Sequence, residues 1–459
     1  MITDKNSFEN IENLVYDTFT SFKFMEIFRI QGKKPLAGTI EVRGSKNAAS
    51  KMMIASLLTD ERCTIENVPL SAEIDIVKEL FETIGSDISF DEHTCHIATK
   101  EIATSLVPKL SRRNRIPILA LGPLLHRRGV AEVPVVGGCY LGHRPINFHI
   151  EALTKMGVRI ERRERSYYAE SKEIHGAEID LAYPSVGATE NIILTASLAK
   201  GETIIRNAAI EPEIINMIKM LKGMGAMISV DAVAREISIQ GVNGLHGVKS
   251  KVMPDRNEIV SFASAALATR GEIFIPDVAE NYLTAFIDKV KEIGGIVEGV
   301  SGGIRFASAD SYRGIYIETS TYPSFMTDWQ QPFSVLLTQA SGESIIHETV
   351  YEDRFGYVKE LSRMGADITV SDECLGTPCR FAGQTFNHSA RIFGPKMLRG
   401  VEIAMTDIRA GMAHIIAALS AEGESIISGI EHIDRGYERI DERLRTLGAI
   451  IERKSVIAG

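Results

Sequence analysis

Residues 201–230 read GETIIRNAAIEPEIINMIKMLKGMGAMISV, and the order of elements in this stretch decides the fold. A glycine-led strand is followed by a short turn, a helix ending in L-x-x-x-G, and a further strand. The same order recurs as ERCTIENVPLSAEIDIVKELFETIGSDISF from Glu61 and GVAEVPVVGGCYLGHRPINFHIEALTKMGVRIE from Gly129. It recurs again as GEIFIPDVAENYLTAFIDKVKEIGGIVEGV from Gly271, GESIIHETVYEDRFGYVKELSRMGADITV from Gly342, and GESIISGIEHIDRGYERIDERLRTLGAIIE from Gly423. Gly129, Gly201, Gly271 and Gly342 follow one another at 72, 70 and 71 residues. Gly85, Gly157, Gly225, Gly294, Gly365 and Gly448 keep nearly the same rhythm, and glycine there suits the left-handed position that ends a helix.

A second helix precedes each copy: KNAASKMMIASLL, RIPILALGPLLHRRG, SVGATENIILTASLAKG, DRNEIVSFASAALATRG, TDWQQPFSVLLTQASG and TDIRAGMAHIIAALSAEG. All six are rich in small and apolar residues on most faces, which is the composition of a buried helix. The unit is therefore helix, strand, helix, strand, with extra strands between copies. A period near 70 exceeds that of the usual solenoids, roughly 20–50 residues. Six copies in two groups of three imply an α/β protein of two similar lobes, each with threefold internal symmetry. A length of 459 residues independently argues for two large domains.

Composition narrows the function. The chain is 44% hydrophobic and 24% charged, and its 51 lysines and arginines against 60 acids leave a net charge of −9. General nucleic-acid binding normally shows as a basic excess, so it is not expected; a local site for a small anion remains open. The first residues, MITDKNSFENIENLVYDTFTSFKF, lack the pattern of a secretory signal, and no run approaches the roughly 20 apolar residues of a membrane helix. The expectation is a cytoplasmic protein with no membrane partner and an extension over residues 1–24. The five cysteines (Cys63, Cys95, Cys139, Cys374, Cys379) are scattered, and no C-x-x-C pair occurs. Cys374 and Cys379 could lie close together, but the reading assigns no metal site and no cofactor.

Helix starts favour acids because the macrodipole is positive there, yet cations open four of the six buried helices. Lys46, Arg115, Arg256 and Arg409 hold these positions. Asp255 and Asp407 could neutralise their neighbours Arg256 and Arg409. Lys46 and Arg115 have no adjacent acid, which points to a bound anion. The second copy carries VVGGCYLGHRP, Val135 to Pro145. Its glycines read as a mobile loop, and Arg144 beside Cys139 would favour a thiolate or position a thiol as proton donor. Walker A, H-E-x-x-H, G-x-S-x-G and the dinucleotide glycine fingerprint are all missing.

These motifs resemble the enolpyruvyl transferase family, in particular the UDP-N-acetylglucosamine 1-carboxyvinyltransferases, from about Phe28 to about Lys454. The likeness rests on GSKNAA at Gly44, GGCxxGxRP at Gly137, SVGATE at Ser185, PDRxE at Pro254, TDxQ at Thr327 and HIDRGYERI at His432. The resemblance implies two inside-out α/β barrel lobes, one discontinuous (1–45 plus 253–459) and one continuous (46–252), with a cleft that closes on substrate. It implies that phosphoenolpyruvate donates its enolpyruvyl group to the 3-hydroxyl of UDP-N-acetylglucosamine by addition then elimination of phosphate, the first committed step of peptidoglycan synthesis. By the same resemblance Lys46, Asn47, Arg144 and Arg435 would hold phosphoenolpyruvate. Arg115, Arg144, Pro145, Ile146, Asn147, Phe148, Ser185, Val186, Asp328 and Val350 would line the UDP-sugar. Cys139 would be the loop acid and Asp328 the base, while Arg354, Arg409 and Glu258 would support the cleft. The chain departs from many relatives at Val136, where a proline is usual, and at Tyr183, where a lysine is. Other readings within reach are a paralogue acting on another nucleotide sugar, the shikimate 3-phosphate enzyme, and an inactive sugar-nucleotide sensor.

Overall fold

The computed structural model describes residues 24–112, 114–137, 146–405 and 407–457. The repeat of the sequence is the repeat of the structure. Each outer helix (Ala72–Ile84, Asn147–Lys155, Pro212–Gly223, Thr284–Ile293, Val358–Arg363 and Ile440–Thr446) is followed by its glycine, with φ between 88° and 105°. At all six ends the amide after that glycine donates to the carbonyl five residues back. Examples are Ser86 to Phe81 at 2.9 Å, Ala226 to Leu221 at 2.9 Å and Ala449 to Leu444 at 3.1 Å. This bond answers one of the orphan carbonyls at a helix end, and a residue with a Cβ would pay about 1–2 kcal/mol for the left-handed conformation.

The strands form six small sheets, five of them mixed. That of the third unit has the order Glu178–Asp180, Glu202–Arg206, Glu236–Gln240, Met227–Asp231. Its first pair is parallel and the others antiparallel, so Ile179, Ile205 and Ile237 stand in one row across it. All three are buried. The second unit has only three strands, its fourth place being taken by the single parallel bridge Leu106–Glu132. Segments distant in sequence complete three of the sheets. Lys249–Lys251 runs parallel to Cys63–Glu66, and Ala37–Thr39 parallel to Glu272–Pro276. Phe24–Gln31 lies antiparallel between Glu424–Ser428 and Ile450–Ile457.

The sheets and outer helices surround the second set of helices, the reverse of a barrel with strands inside. All residues of Arg256–Ala268 and of Gln330–Leu337 are buried, which is why these helices need small apolar residues on every face. Two hydrophobic cores result. One gathers buried residues between Ala48 and Met253; the other gathers Phe28 to Ile40 together with Ile259 to Ile451. No helix among the described residues is long and apolar enough to cross a membrane.

Candidate active site

Five of the six buried helices present their N-terminal ends to one cavity of about 660 Å³. Lys46 and Asn47 enter it from the start of Lys46–Ala55, Arg115 from the residue before the 3₁₀ turn Ile116–Ala120, and Ser185 and Val186 from the start of Val186–Ala196. The other core supplies Asp328 from the 3₁₀ turn Thr327–Trp329, Arg409 from the start of Ile408–Ser420, and Arg435 just after Glu431–Asp434. Helix N-termini converging with cations suit the binding of an anionic group.

Local packing fixes these positions. Thr327 donates to the buried Glu348 at 2.8 Å, and the Trp329 ring sits edge-on against Phe325 at 5.6 Å between centroids. Asp328 therefore projects from an anchored turn. Arg354 donates to its Oδ1, and Arg409 Nε to its Oδ2 at 3.1 Å. Asp407 caps its helix through the amides of Arg409 and Ala410, at 2.9 and 3.0 Å. Tyr437 accepts from Arg409 at 2.9 Å, so the guanidinium is fixed on two sides.

The partners of the helix-start cations differ from those expected along the chain. Arg256 is fully buried and pairs not with Asp255 but with Glu213, through bonds of 3.1 and 2.6 Å. Asp255 instead accepts the amides of Asn257 at 2.7 Å and of Lys46 at 3.2 Å, capping one helix and touching the start of another. Lys46 has an acid after all: Glu73, from the outer helix, lies 3.1 Å from its ammonium. Burial pushes the Glu73 carboxyl up, but Lys46, Lys51 and Arg435 outweigh it and hold the group below its usual range.

A cluster of acids forms one wall. Glu190 and Glu211 are buried, each with one carboxylate oxygen lacking a hydrogen-bond partner. Burial pushes both up to about 7; Lys51 opposes the shift at Glu190, and the neighbouring Glu213 adds to it at both. His149 is driven down to about 3 by burial and by Arg115, so it stays neutral in the cavity. Asn191 lies 3.1 Å from its Nδ1.

Of the residues singled out in the sequence, Lys46, Asn47, Arg115, Asn147, Phe148, Ser185, Val186, Asp328, Val350, Arg409 and Arg435 line this one cavity. Ile146 packs in the first core instead. Arg354 reaches the site through Asp328, and Glu258 is buried away from the lining, bonded to Arg443 at 2.7 and 2.8 Å. Cys139, Arg144 and Pro145 lie outside the described residues; Gly137 and Asn147, which flank that stretch, both line the cavity. Sequence reasoning missed Lys51, Glu190, Tyr351 and Arg380 in the lining. Lys51 and Glu190 carried a signal, being charges inside otherwise apolar buried helices. Among the described residues, the one His/Cys/Asp/Glu group able to hold a metal ion is outside this lining, at His347, Cys374, Cys379 and His388.

Comparison with known proteins agrees with this architecture. Residues 30–444 match the family described as EPSP synthase (3-phosphoshikimate 1-carboxyvinyltransferase). The UDP-N-acetylglucosamine 1-carboxyvinyltransferase of Protochlamydia amoebophila is 46% identical over 93% of this chain and 94% of its own length. The protein of that name from Chlamydia pneumoniae is 43% identical over 93% and 95%. Among solved structures, the enolpyruvyl transferase NikO from Streptomyces tendae superposes with a TM-score of 0.82, covering 95% of this chain and 100% of that one at 21% identity. EPSP synthase from Acinetobacter baumannii superposes at 0.70, covering 94% and 100% at 18% identity. The fold is therefore that of two lobes of three repeated units, and the chain belongs to the enolpyruvyl transferase family, among the UDP-N-acetylglucosamine 1-carboxyvinyltransferases.

Proposed function

We propose that this chain transfers the enolpyruvyl group of phosphoenolpyruvate to the 3-hydroxyl of UDP-N-acetylglucosamine and releases phosphate, committing the sugar nucleotide to peptidoglycan and so to cell wall growth and division. The observation that carries the reading is the cavity itself. Lys46 and Arg115 from one core face Asp328, Arg409 and Arg435 from the other, around a volume that neither lobe completes alone. A division near residues 45 and 253 belongs to this reading, as does a cytoplasmic location, where both small-molecule substrates are made.

In the proposed mechanism Lys46, Asn47, Arg144 and Arg435 clamp the phosphate and carboxylate of phosphoenolpyruvate, lowering the cost of holding a polyanion beside a reacting carbon. Arg115, Arg144 to Phe148, Ser185, Val186 and Val350 hold the UDP-sugar. Cys139 gives its proton to the methylene carbon as the sugar oxygen attacks the adjacent one. Asp328 takes the hydroxyl proton. Arg354 and Arg409 hold its two oxygens and so fix the orientation of the carboxylate. The tetrahedral intermediate then loses phosphate as a proton leaves its new methyl group, restoring the double bond.

The test is phosphate release from phosphoenolpyruvate with UDP-N-acetylglucosamine, UDP-N-acetylgalactosamine and shikimate 3-phosphate run in parallel. The first acceptor should lead by at least about two orders of magnitude in kcat/KM, the discrimination a site gains by pairing its buried polar groups with one substrate only. Release that is fastest with either of the others overturns the assignment of acceptor.

A further inference from the structure

In four of the units the last two strands are joined by two to four residues; in the fifth, between Asp367–Ser371 and Ser389–Gly394, the connection is residues 372–388. Seventeen residues without regular structure are unusual inside a compact lobe and need something to hold them. Their sequence, DECLGTPCRFAGQTFNH, brings few apolar side chains. It brings two cysteines and a histidine to a second histidine, His347, at the end of the central strand Gly342–His347.

The four side chains are arranged as ligands. The Sγ atoms of Cys374 and Cys379 are 3.7 Å apart, and Cys374 Sγ is 3.3 Å from His388 Nε2. One ligand atom from each of the four residues falls within 4.8 Å of every other. Tetrahedral zinc with bonds of about 2.3 Å to sulfur and 2.0 Å to nitrogen sets such atoms about 3.3–3.8 Å apart. Both rings are buried and turned for the purpose. His388 Nδ1 lies 2.8 Å from the Phe386 carbonyl, so it carries the proton and leaves the Nε2 lone pair facing Cys374. His347 Nδ1 lies 3.0 Å from Glu318, which fixes the same tautomer, and its Nε2 is buried without a hydrogen-bond partner. Glu318 is itself held by the Tyr316 hydroxyl at 2.7 Å and the Thr377 amide at 3.0 Å. A carboxylate or carbonyl behind each ligating histidine is the usual outer shell of a zinc site. Gly376 crosses this group so closely that a Cβ there would fall 1.7 Å from the Tyr316 hydroxyl oxygen.

We propose that His347, Cys374, Cys379 and His388 bind one zinc ion, which folds the 372–388 loop and holds Arg380 in the substrate cavity. Both thiols give their protons to solvent on binding, and no oxidant or reductant is involved. Arg380 directly follows a ligand, donates to the Val350 carbonyl at 2.6 Å, and lies over the Tyr183 ring with 5.5 Å to its centroid. Its charge is thus delivered beside Tyr183, which also lines the cavity. This second consequence rests on the proposed function; the binding of zinc does not.

The full-length chain, purified without a polyhistidine tag, should hold about one zinc per chain by elemental mass spectrometry. Cys374→Ser with Cys379→Ser should lower it at least about tenfold, the loss expected when ligands are removed, whereas Cys63→Ser with Cys95→Ser should leave it unchanged. Cobalt exchanged into the unmutated protein should show the intense visible bands of a tetrahedral thiolate site, a readout that survives even if the double variant does not fold. Zinc-loaded protein that holds none after gel filtration, an octahedral cobalt spectrum, or a Cys374–Cys379 disulfide in anaerobically purified protein overturns the site. Stripping zinc with a chelator should raise KM for UDP-N-acetylglucosamine about tenfold with little change in kcat, as should Arg380→Ala, the factor expected for one lost charged hydrogen bond. Zinc lost with KM unmoved overturns the link to Arg380.

Discussion

Replacing Asp328 by asparagine keeps the shape of the side chain and removes its charge. In the proposed chemistry this deletes the base for the sugar hydroxyl, so kcat should fall by roughly 10²–10⁴, or about 3–5 kcal/mol of barrier. The structure also sets what the same change does to binding and folding. Asp328 accepts from Arg354 and Arg409, whose side chains are only 3% and 10% exposed. The amide oxygen of asparagine can still accept from one of them, but its NH₂ then confronts the other, donor against donor. One charge-assisted bond is lost, about 1.5–3 kcal/mol of stability. The fold has enough other contacts to survive that, and affinity for UDP-N-acetylglucosamine should stay within about tenfold, since most of the sugar nucleotide is held elsewhere. Steady-state phosphate release, calorimetric binding and a urea titration of one purified sample separate the three effects. A variant with lowered stability, intact binding and turnover within about threefold of the parent would make Asp328 a scaffold for the two arginines and remove it from the reaction.

Lys46→Ala should raise KM for phosphoenolpyruvate far more than for the UDP-sugar, because it deletes a point charge opposite a polyanion; equal effects on both would mean that the Lys46–Glu73 pair shapes the cavity instead. The folded chain keeps the Glu190 and Glu211 protons until about pH 7, while the unfolded chain releases them near 4.5. Stability therefore falls as pH rises through that window, and Glu190→Gln should flatten the fall in urea unfolding measured at pH 5 and 7.5; a slope equal to the parent's contradicts the raised carboxyls. Fosfomycin, an epoxide that mimics phosphoenolpyruvate, should label Cys139, faster with UDP-N-acetylglucosamine present. Cys139→Ser should abolish labelling, and Cys139→Asp should keep activity and gain resistance. Cys63 and Cys95 are buried, with thiols pushed up by desolvation, and serve as internal controls. Peptide mapping that finds the label on another cysteine with Cys139 untouched contradicts the loop acid.

Much of the fold was legible because it is written six times. A left-handed glycine at a helix end and an all-apolar helix are local signals, and each copy reinforces the others. Closure of the lobes was not legible. Nothing in Phe24–Gln31 announces that it will lie between the last two strands of the chain, because pairing between distant segments leaves no local pattern. Ion partners were missed for the same reason. Asp255 is next to Arg256 in sequence, but as a helix cap its carboxylate faces the free amides, and the guanidinium reaches Glu213 on another helix. The group of two histidines and two cysteines matches no zinc spacing, since one ligand comes from a strand and three from a loop. Lys51 and Glu190 could have been found: a charge inside a buried helix is expensive unless something in the site uses it.

In the proposed reaction a carbon–oxygen bond forms to phosphoenolpyruvate by addition and elimination. Running the reaction with UDP-N-acetylglucosamine in D₂O and weighing the product tests it most directly. The acid should deliver a deuteron to the methylene carbon, the resulting methyl group should turn, and elimination should leave deuterium in part of the vinyl product. The expected product is UDP-N-acetylglucosamine heavier by one enolpyruvyl unit, with a deuterated fraction and an equal amount of free phosphate. A phosphorylated sugar with free pyruvate, or an enolpyruvyl product that never carries deuterium, would contradict it.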